Sequence, residues 1–329
     1  MDKLEKNLFG PDMPCGLDNE IPQGIQILFK LMKQPSKKLH GISVDTISGG
    51  LLGNQLGTGA TAVVFQRVGT NSVIKLSRFG IKTYIDNELD ILKKLANGSE
   101  KCTNEHIPSI IDNPAIRDSL LSITLGSVST TIRAIETSPV GKNVASVVLS
   151  TDTDATPDRG LLLVLEGIKS ALDYMHAKRI CHCDVTPKNI VIADKTNGVD
   201  KRAVLIDYSI SSSSETTLRA FHGTPNYVHR QIFLSALYGK KWNPRAEHDK
   251  AGLGFTLAFF ANGCKRTWNV GDYPKKVKEP KKHEDDLITV MNTRLETAKA
   301  AVNMSHIANP DIKRQITELL VLDQEEEAK

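Results

Sequence analysis

Between residues 160 and 178 the apolar side chains Leu161, Val164, Leu165, Ile168, Leu172 and Met175 recur at threes and fours, which predicts a long amphipathic helix. The same period marks residues 85–96, where Ile85, Leu89, Leu92 and Leu95 share a face. Shorter runs around them alternate or cluster as strands do: 62–68 and 72–76 about a Gly69-Thr70-Asn71 turn, then 120–125 and 131–135. Residues 189–193 and 203–206 flank a turn containing Asn197-Gly198, a strong hairpin signal. Residues 248–260 read as a buried helix with an acid, Asp249, near its start, and 285–301 and 310–322 as two further amphipathic stretches. Strands with one helix therefore come first and helices follow, with a polar connection over 138–159 between them. Residues 1–48 carry Pro and Gly punctuation around one amphipathic stretch, 21–33, and read as an extension packed on the main domain, the alternative being a partner-binding helix.

Composition narrows the class. Forty per cent hydrophobic and 24% charged residues describe a globular chain, and a net charge of +4 is too mild to point to nucleic acid. Cys15, Cys102, Cys181, Cys183 and Cys264 are odd in number and scattered, which suits a reducing compartment better than a disulfide framework. No apolar signal core opens the chain, and no run approaches the roughly 20 apolar residues of a membrane span. The expectation is a cytoplasmic or nuclear protein without a membrane partner.

The candidate chemistry lies in His182-Cys183-Asp184-Val185-Thr186-Pro187-Lys188-Asn189, followed by Leu205-Ile206-Asp207-Tyr208-Ser209. Asp184 suits orientation and deprotonation of a hydroxyl, while Asn189 and Asp207, set at the same end of the predicted hairpin, suit magnesium held against phosphates. Upstream, Leu56-Gly57-Thr58-Gly59-Ala60-Thr61-Ala62-Val63-Val64 approximates a Gly-x-Gly-x-x-Gly-x-Val flap with Ala62 in place of the third glycine. Such a turn alone is more often only a turn. Lys75 on the next strand and Glu88 on the next helix change its weight, because an ammonium under the flap reaches phosphates and a carboxylate can hold it there. Cys181-His182-Cys183 also invites a zinc reading, but no second Cys or His pair lies nearby at ligand spacing, so structural zinc is not expected.

These elements in this order resemble the eukaryotic-type protein kinase superfamily across roughly residues 50–262. The resemblance implies an α+β, bilobal protein-kinase-like fold: an extension over 1–48, a small β-rich N-lobe over 49–137, and a mainly helical, atypical C-lobe over 138–329 that departs from the pattern after about 262. It implies Asp184 as catalytic base, Asn189 and Asp207 as metal ligands, and Lys75 with Glu88 as the phosphate-anchoring pair. Thr224, in Gly223-Thr224-Pro225, would approach Asp184 as in serine/threonine kinases. Gly57, Thr58, Gly59, Ala60, Val64, Lys75 and Glu136 would bind ATP, with Mg²⁺ or alternatively Mn²⁺, and the partner would be a protein substrate. Asp249 would brace the catalytic loop, and His182, Tyr208 and Leu92 would stack in the internal hydrophobic column. Asp-Tyr-x for Asp-Phe-Gly and the short Lys75 to Glu88 gap are similar to the casein-kinase-1 and vaccinia-related-kinase side. The 139–141 segment is similar to kinase domains of Crinkler-type effectors.

The departures are chemical. Cys183 replaces the arginine that reads a phosphorylated activation loop, so activity independent of such phosphorylation is expected. Thr186 stands where a phosphate-contacting lysine is usual, and Lys188 is a candidate to supply that charge. Ser209 replaces the Asp-Phe-Gly glycine, and His229-Arg230-Gln231 replaces Ala-Pro-Glu, losing the carboxylate that pairs with a distal arginine. The basic run 274–283 reads as a solvated loop. Three functions stay open at this point: an active Ser/Thr protein kinase, a pseudokinase acting as a nucleotide-binding scaffold, and a small-molecule kinase of the aminoglycoside-phosphotransferase kind.

Overall fold

A computed structural model of the chain describes residues 51–324, apart from 60, 78–81, 100, 126–127, 145–156, 196–199, 219–222, 239 and 271–283. The amphipathic stretch expected at 21–33, the Asn197-Gly198 turn and the basic run 274–283 lie outside the described residues. The N-terminal part is a twisted antiparallel sheet of β1 (Leu52–Thr58), β2 (Ala62–Arg67), β3 (Val73–Ser77), β4 (Ser109–Ile110), β5 (Ile116–Arg117), β6 (Leu120–Leu125) and β7 (Val128–Ser138). Its order is β1-β2-β3-β7-β6-β5, with β4 also on β7. Helix α1 (Lys82–Leu95) packs on β3 and β7 through the face predicted from its spacing, with Ile85, Leu92 and Leu95 fully buried.

The C-terminal part begins with β8 (Lys142–Asn143) and α2 (Pro157–Ala177), then β9 (Ile180–Cys181), a 3₁₀ turn (Pro187–Asn189), β10 (Ile190–Asp194), β11 (Lys201–Leu205) and β12 (Ser212–Ser213). Helices α3 (Arg230–Leu237), α4 (Ala246–Ala261), α5 (Glu284–Met304) and α6 (Pro310–Val321) follow. Helix α4 is buried on nearly every side and packs against α2, α5 and α6, which makes it the central post of this half. One continuous apolar core runs from Ile85 and Leu92 through Tyr208 and Val185 to α2, α4 and α6, so both halves pack on the segment that carries the candidate site. Two expectations are corrected. The polar connection over 138–159 is interrupted by β8, whose two residues pair with β10 and are too few to leave a periodic signal. The Gly-rich bend before residue 62 is itself strand β1, running to Thr58 with register shifts before Gly57.

Candidate active site

The loop between β9 and β10 is set by one buried carboxylate. Asp249, in the first turn of α4, accepts the backbone N–H of His182 at 2.8 Å and of Cys183 at 2.8 Å, and pairs with His176 Nε2 at 2.9 Å. Burial alone would raise the Asp249 pKa, but these donors prevail and hold it below the usual carboxylate range. Cys183 sits between the two bonds at φ 68, a left-handed conformation that costs a non-glycine residue energy and persists only where neighbours fix it. Burial, with Asp249 alongside, pushes the Cys183 thiol well up, so it has no thiolate chemistry. His182 Nε2 bonds the Ile206 carbonyl at 3.1 Å and its ring meets Tyr208 edge-on at 5.0 Å, tying the loop to the segment after β11. Tyr208 and Leu92 lie in the same buried core, as expected.

The β10–β11 pairing aligns Ile190 with Leu205, and Ile206 N–H donates to Asn189 O at 2.8 Å. That register brings Asn189 and Asp207 to one end of the hairpin. Asn189 Nδ2 donates to both the carbonyl and Oδ2 of Asp184 at 2.9 Å, leaving its amide oxygen as the remaining acceptor. Oδ1 of Asp184 is buried without a hydrogen-bond partner among the described residues. Burial raises the Asp184 pKa; Thr224, His182 and Asn189 oppose this, and Asp207 adds to it. The Thr224 hydroxyl thus favours the ionised form electrostatically, without a bond of good geometry. Gly223, at φ 103, lets this turn approach: a Cβ there would lie 2.7 Å from the Cys183 carbonyl.

Across the cleft, Lys75 Nζ lies 2.5 Å from Glu88 Oε2 and 2.7 Å from Asp207 Oδ1. Burial would neutralise this ammonium, yet the two carboxylates overrule it and keep its pKa above the lysine norm. Burial likewise opposes ionisation of Asp207, but Lys75 and the Ser209 hydroxyl hold its pKa at about 2. Ser209 therefore has a task that a glycine would lack. Asp207 itself stands at φ 67, aiming its carboxylate back toward Lys75. Val64 pairs with Lys75 across β2 and β3, while Gly57 and Thr58 pair with Val64 and Val63, so the flap lies over the lysine strand. Gly59 closes the turn by donating to the Ala62 carbonyl at 2.9 Å; Ala60 lies outside the described residues.

Two expected residues stand apart. Lys188 is exposed on the 3₁₀ turn and makes no ion pair with Asp184 or Asp207 among the described residues. Glu136, expected to bind cofactor, has its buried carboxylate engaged by Arg67 at 3.0 Å together with Ser72 and Asn113, and its carbonyl accepts Ile111 N–H. Both polar ends are thereby satisfied inside the β-rich half. Two connecting residues escaped the sequence reading. Asn87, beside Glu88 on α1, donates to the carbonyls of Ser209 and Ser211 at 3.0 Å each, fastening α1 to the segment after Asp207. Asp323, beyond α6, supplies a carboxylate to Arg294 at 2.6 Å, so the carboxylate missing at Gln231 enters from a different part of the chain. Asn87 is signalled only as a polar residue beside the expected Glu88, and Asp323 carries no local signal.

A β-rich half and a helical half that meet at a Lys–Glu–Asp cluster, facing a braced Asp–Asn loop, define a bilobal protein of the kinase class. The protein kinase domain model matches residues 138–326, more than half of the chain, and the chain belongs to that family as a divergent member. Among curated proteins, it is 23% identical over 252 residues to a Drosophila yakuba serine/threonine-protein kinase, GE16371, covering 70% of this chain and 31% of that protein. It is 24% identical over 198 residues to serine/threonine-protein kinase CG17528 of Drosophila melanogaster, covering 58% of this chain and 24% of the relative. It is 30% identical over 91 residues to serine/threonine-protein kinase DCLK1 of Rattus norvegicus, 28% of this chain and 21% of the relative. The chain thus spans under a third of the length of these relatives. No described helix is long and apolar enough to cross a membrane.

Proposed function

We propose that this chain is a catalytically active, ATP- and Mg²⁺-dependent protein kinase directed to Ser and Thr hydroxyls. The observation that carries the reading is the closed arrangement of Lys75, Glu88 and Asp207 opposite an Asp184 whose Oδ1 is buried and unpartnered. The residues fit the implied ligands: Asp207 is fully ionised near neutral pH, the Asn189 amide oxygen remains for a hard cation, and a Cβ on Gly57 would meet nothing within 4 Å, consistent with backbone open to phosphate. Bound nucleotide and magnesium supply the phosphoryl group and its counter-charge. Lys75, fixed by Glu88, anchors phosphate oxygens; Asn189 and Asp207 hold the cation; Asp184 orients the hydroxyl and accepts its proton at Oδ1, with Thr224 beside it. The proximity of Thr224 to Asp184, and relatives named as serine/threonine kinases, support that specificity. Because Asp249 already pins both loop amides, the loop needs no phosphate contact through position 183 to keep its shape.

The scaffold alternative rests on Thr186, which is buried where a phosphate-contacting lysine is usual. Stabilisation by Mg-ATP in a thermal-shift assay, with γ-phosphate transfer at the same saturating ATP, separates the two. The kinase reading expects both signals in wild type and only the first in Asp184→Ala. Stabilisation without transfer in wild type would select the scaffold.

A further inference from the structure

Arg294, on α5, is wholly buried; its Nε has no hydrogen-bond partner among the described residues, so its two terminal nitrogens carry the contacts that hold the charge. Its Nη1 donates to the Val228 carbonyl at 2.7 Å and toward the Pro225 carbonyl at 3.4 Å, and the cation lies 4.3 Å above the Phe255 ring. Nη2 donates to Oδ2 of Asp323 at 2.6 Å, a carboxylate only 1% exposed. The other oxygen of Asp323 accepts the N–H of Arg230 at 2.8 Å, at the start of α3, where a negative charge also complements the helix dipole. Next to it the Leu322 carbonyl pairs with His229 Nε2 at 2.9 Å. Residues 322 and 323, just past α6, therefore hold residues 229 and 230 of the 225–230 turn directly, and Asp323 reaches the carbonyls of Pro225 and Val228 through Arg294. That turn begins with Gly223 and Thr224, which abut Cys183 and Asp184. The Gln231 side chain points to α4, where its Oε1 pairs with His248 Nε2 at 2.8 Å, and its backbone N–H donates to His229 Nδ1 at 3.1 Å.

We propose that Asp323 is a positioning residue for the reaction: through Arg294 it sets the 223–230 turn, and with it the seat of the protein substrate in front of Asp184. The proposal rests on the kinase reading above for its catalytic consequence, but not for the clamp itself. The chain's last described helix is thus a working part of the substrate side, and the carboxylate lost at Gln231 has been relocated across the fold.

The test uses the full chain with Asp323→Asn and, in case an unpaired Arg294 unfolds that variant, the double variant Arg294→Met/Asp323→Leu, in which apolar groups replace the buried pair. Hydrogen exchange is read on peptides covering 226–232 and, as internal control, 73–77; transfer from Mg-ATP is measured on myelin basic protein. The expected result is at least about tenfold faster exchange over 226–232 with 73–77 unchanged. The KM for the protein substrate should rise about tenfold while the KM for ATP holds, in both variants. Unchanged exchange over 226–232 in the double variant, or equal acceleration everywhere, overturns the clamp. Absence of transfer in wild type strikes the kinase reading alone, because the exchange result still decides the clamp.

Discussion

On the proposed nucleotide side of the cleft, Lys75 bridges Glu88 and Asp207; on the substrate side, Arg294 bridges Asp323 and the carbonyls of Pro225 and Val228. Both are cations held between a carboxylate and a loop, yet their surroundings differ. Asp207 keeps 37% of its side chain open to solvent, so its charge remains available to a ligand, whereas Arg294 and Asp323 are sealed at 0% and 1%. An open cluster can exchange partners during a reaction; a sealed one can only fix geometry. Within one fold, the same chemistry would on this reading serve catalysis in one place and positioning in the other.

The comparison breaks most severely if the open cluster proves dispensable. Asp207→Ala and Lys75→Met should each reduce γ-phosphate transfer by at least ~10³-fold with circular dichroism unchanged, because the proposed catalysis rests mainly on charge neutralisation and positioning. Next in size is Asp249→Ala, which strands two buried loop amides and releases His176; a loss of ~3 kcal/mol in urea unfolding, with transfer falling alongside, is expected. Asn87→Ala removes the α1 link to Ser209 and Ser211 without touching the ion cluster. Its cost should be ~1 kcal/mol in stability, and a roughly tenfold drop in transfer at unchanged thermal shift by Mg-ATP would show that the link orders Asp207.

A separate test addresses the substrate side by pH. His248 is buried beside the His229 ring at 4.8 Å, with Arg245 close and Asp249 on the next turn position; burial, then His229, lowers its pKa to about 3. A histidine depressed in the folded state takes up protons on unfolding, so its contribution is fully present above the unfolded value near 6.5 and is lost as pH falls below it. Stability should fall by up to about 1.4 kcal/mol per pH unit below about pH 6.5, and His248→Gln should flatten that slope in urea titrations. Smallest of all, Ser209→Gly should change transfer only a few-fold, since Lys75 alone retains most of the stabilisation of Asp207.

What could be read from the sequence divides along the same line. The helices over 82–95 and 157–177, the hairpin register that joins Asn189 to Asp207, and the bracing role of Asp249 follow from local periodicity or short motifs. The contacts of Glu136 are not legible in the same way: Arg67 ends β2 while Ser72 and Asn113 lie in the connections before β3 and after β4, and no local pattern says that a carboxylate near the end of β7 will turn inward. Asp323 stood beyond reach for the same reason: 93 residues separate it from the Arg230 amide that it caps. Sequence spacing exposes groups that serve one loop or one hairpin. Buried pairs between distant segments are decided by packing, and only the folded chain shows them.

The most direct measurement is transfer of label from γ-labelled ATP to mixed protein substrates by wild type and Asp184→Asn, each at ATP concentrations that give equal thermal stabilisation. The account predicts labelled Ser and Thr with wild type and at least ~10³-fold less with the variant, which keeps its fold and its nucleotide. Equal labelling by the two proteins would contradict it.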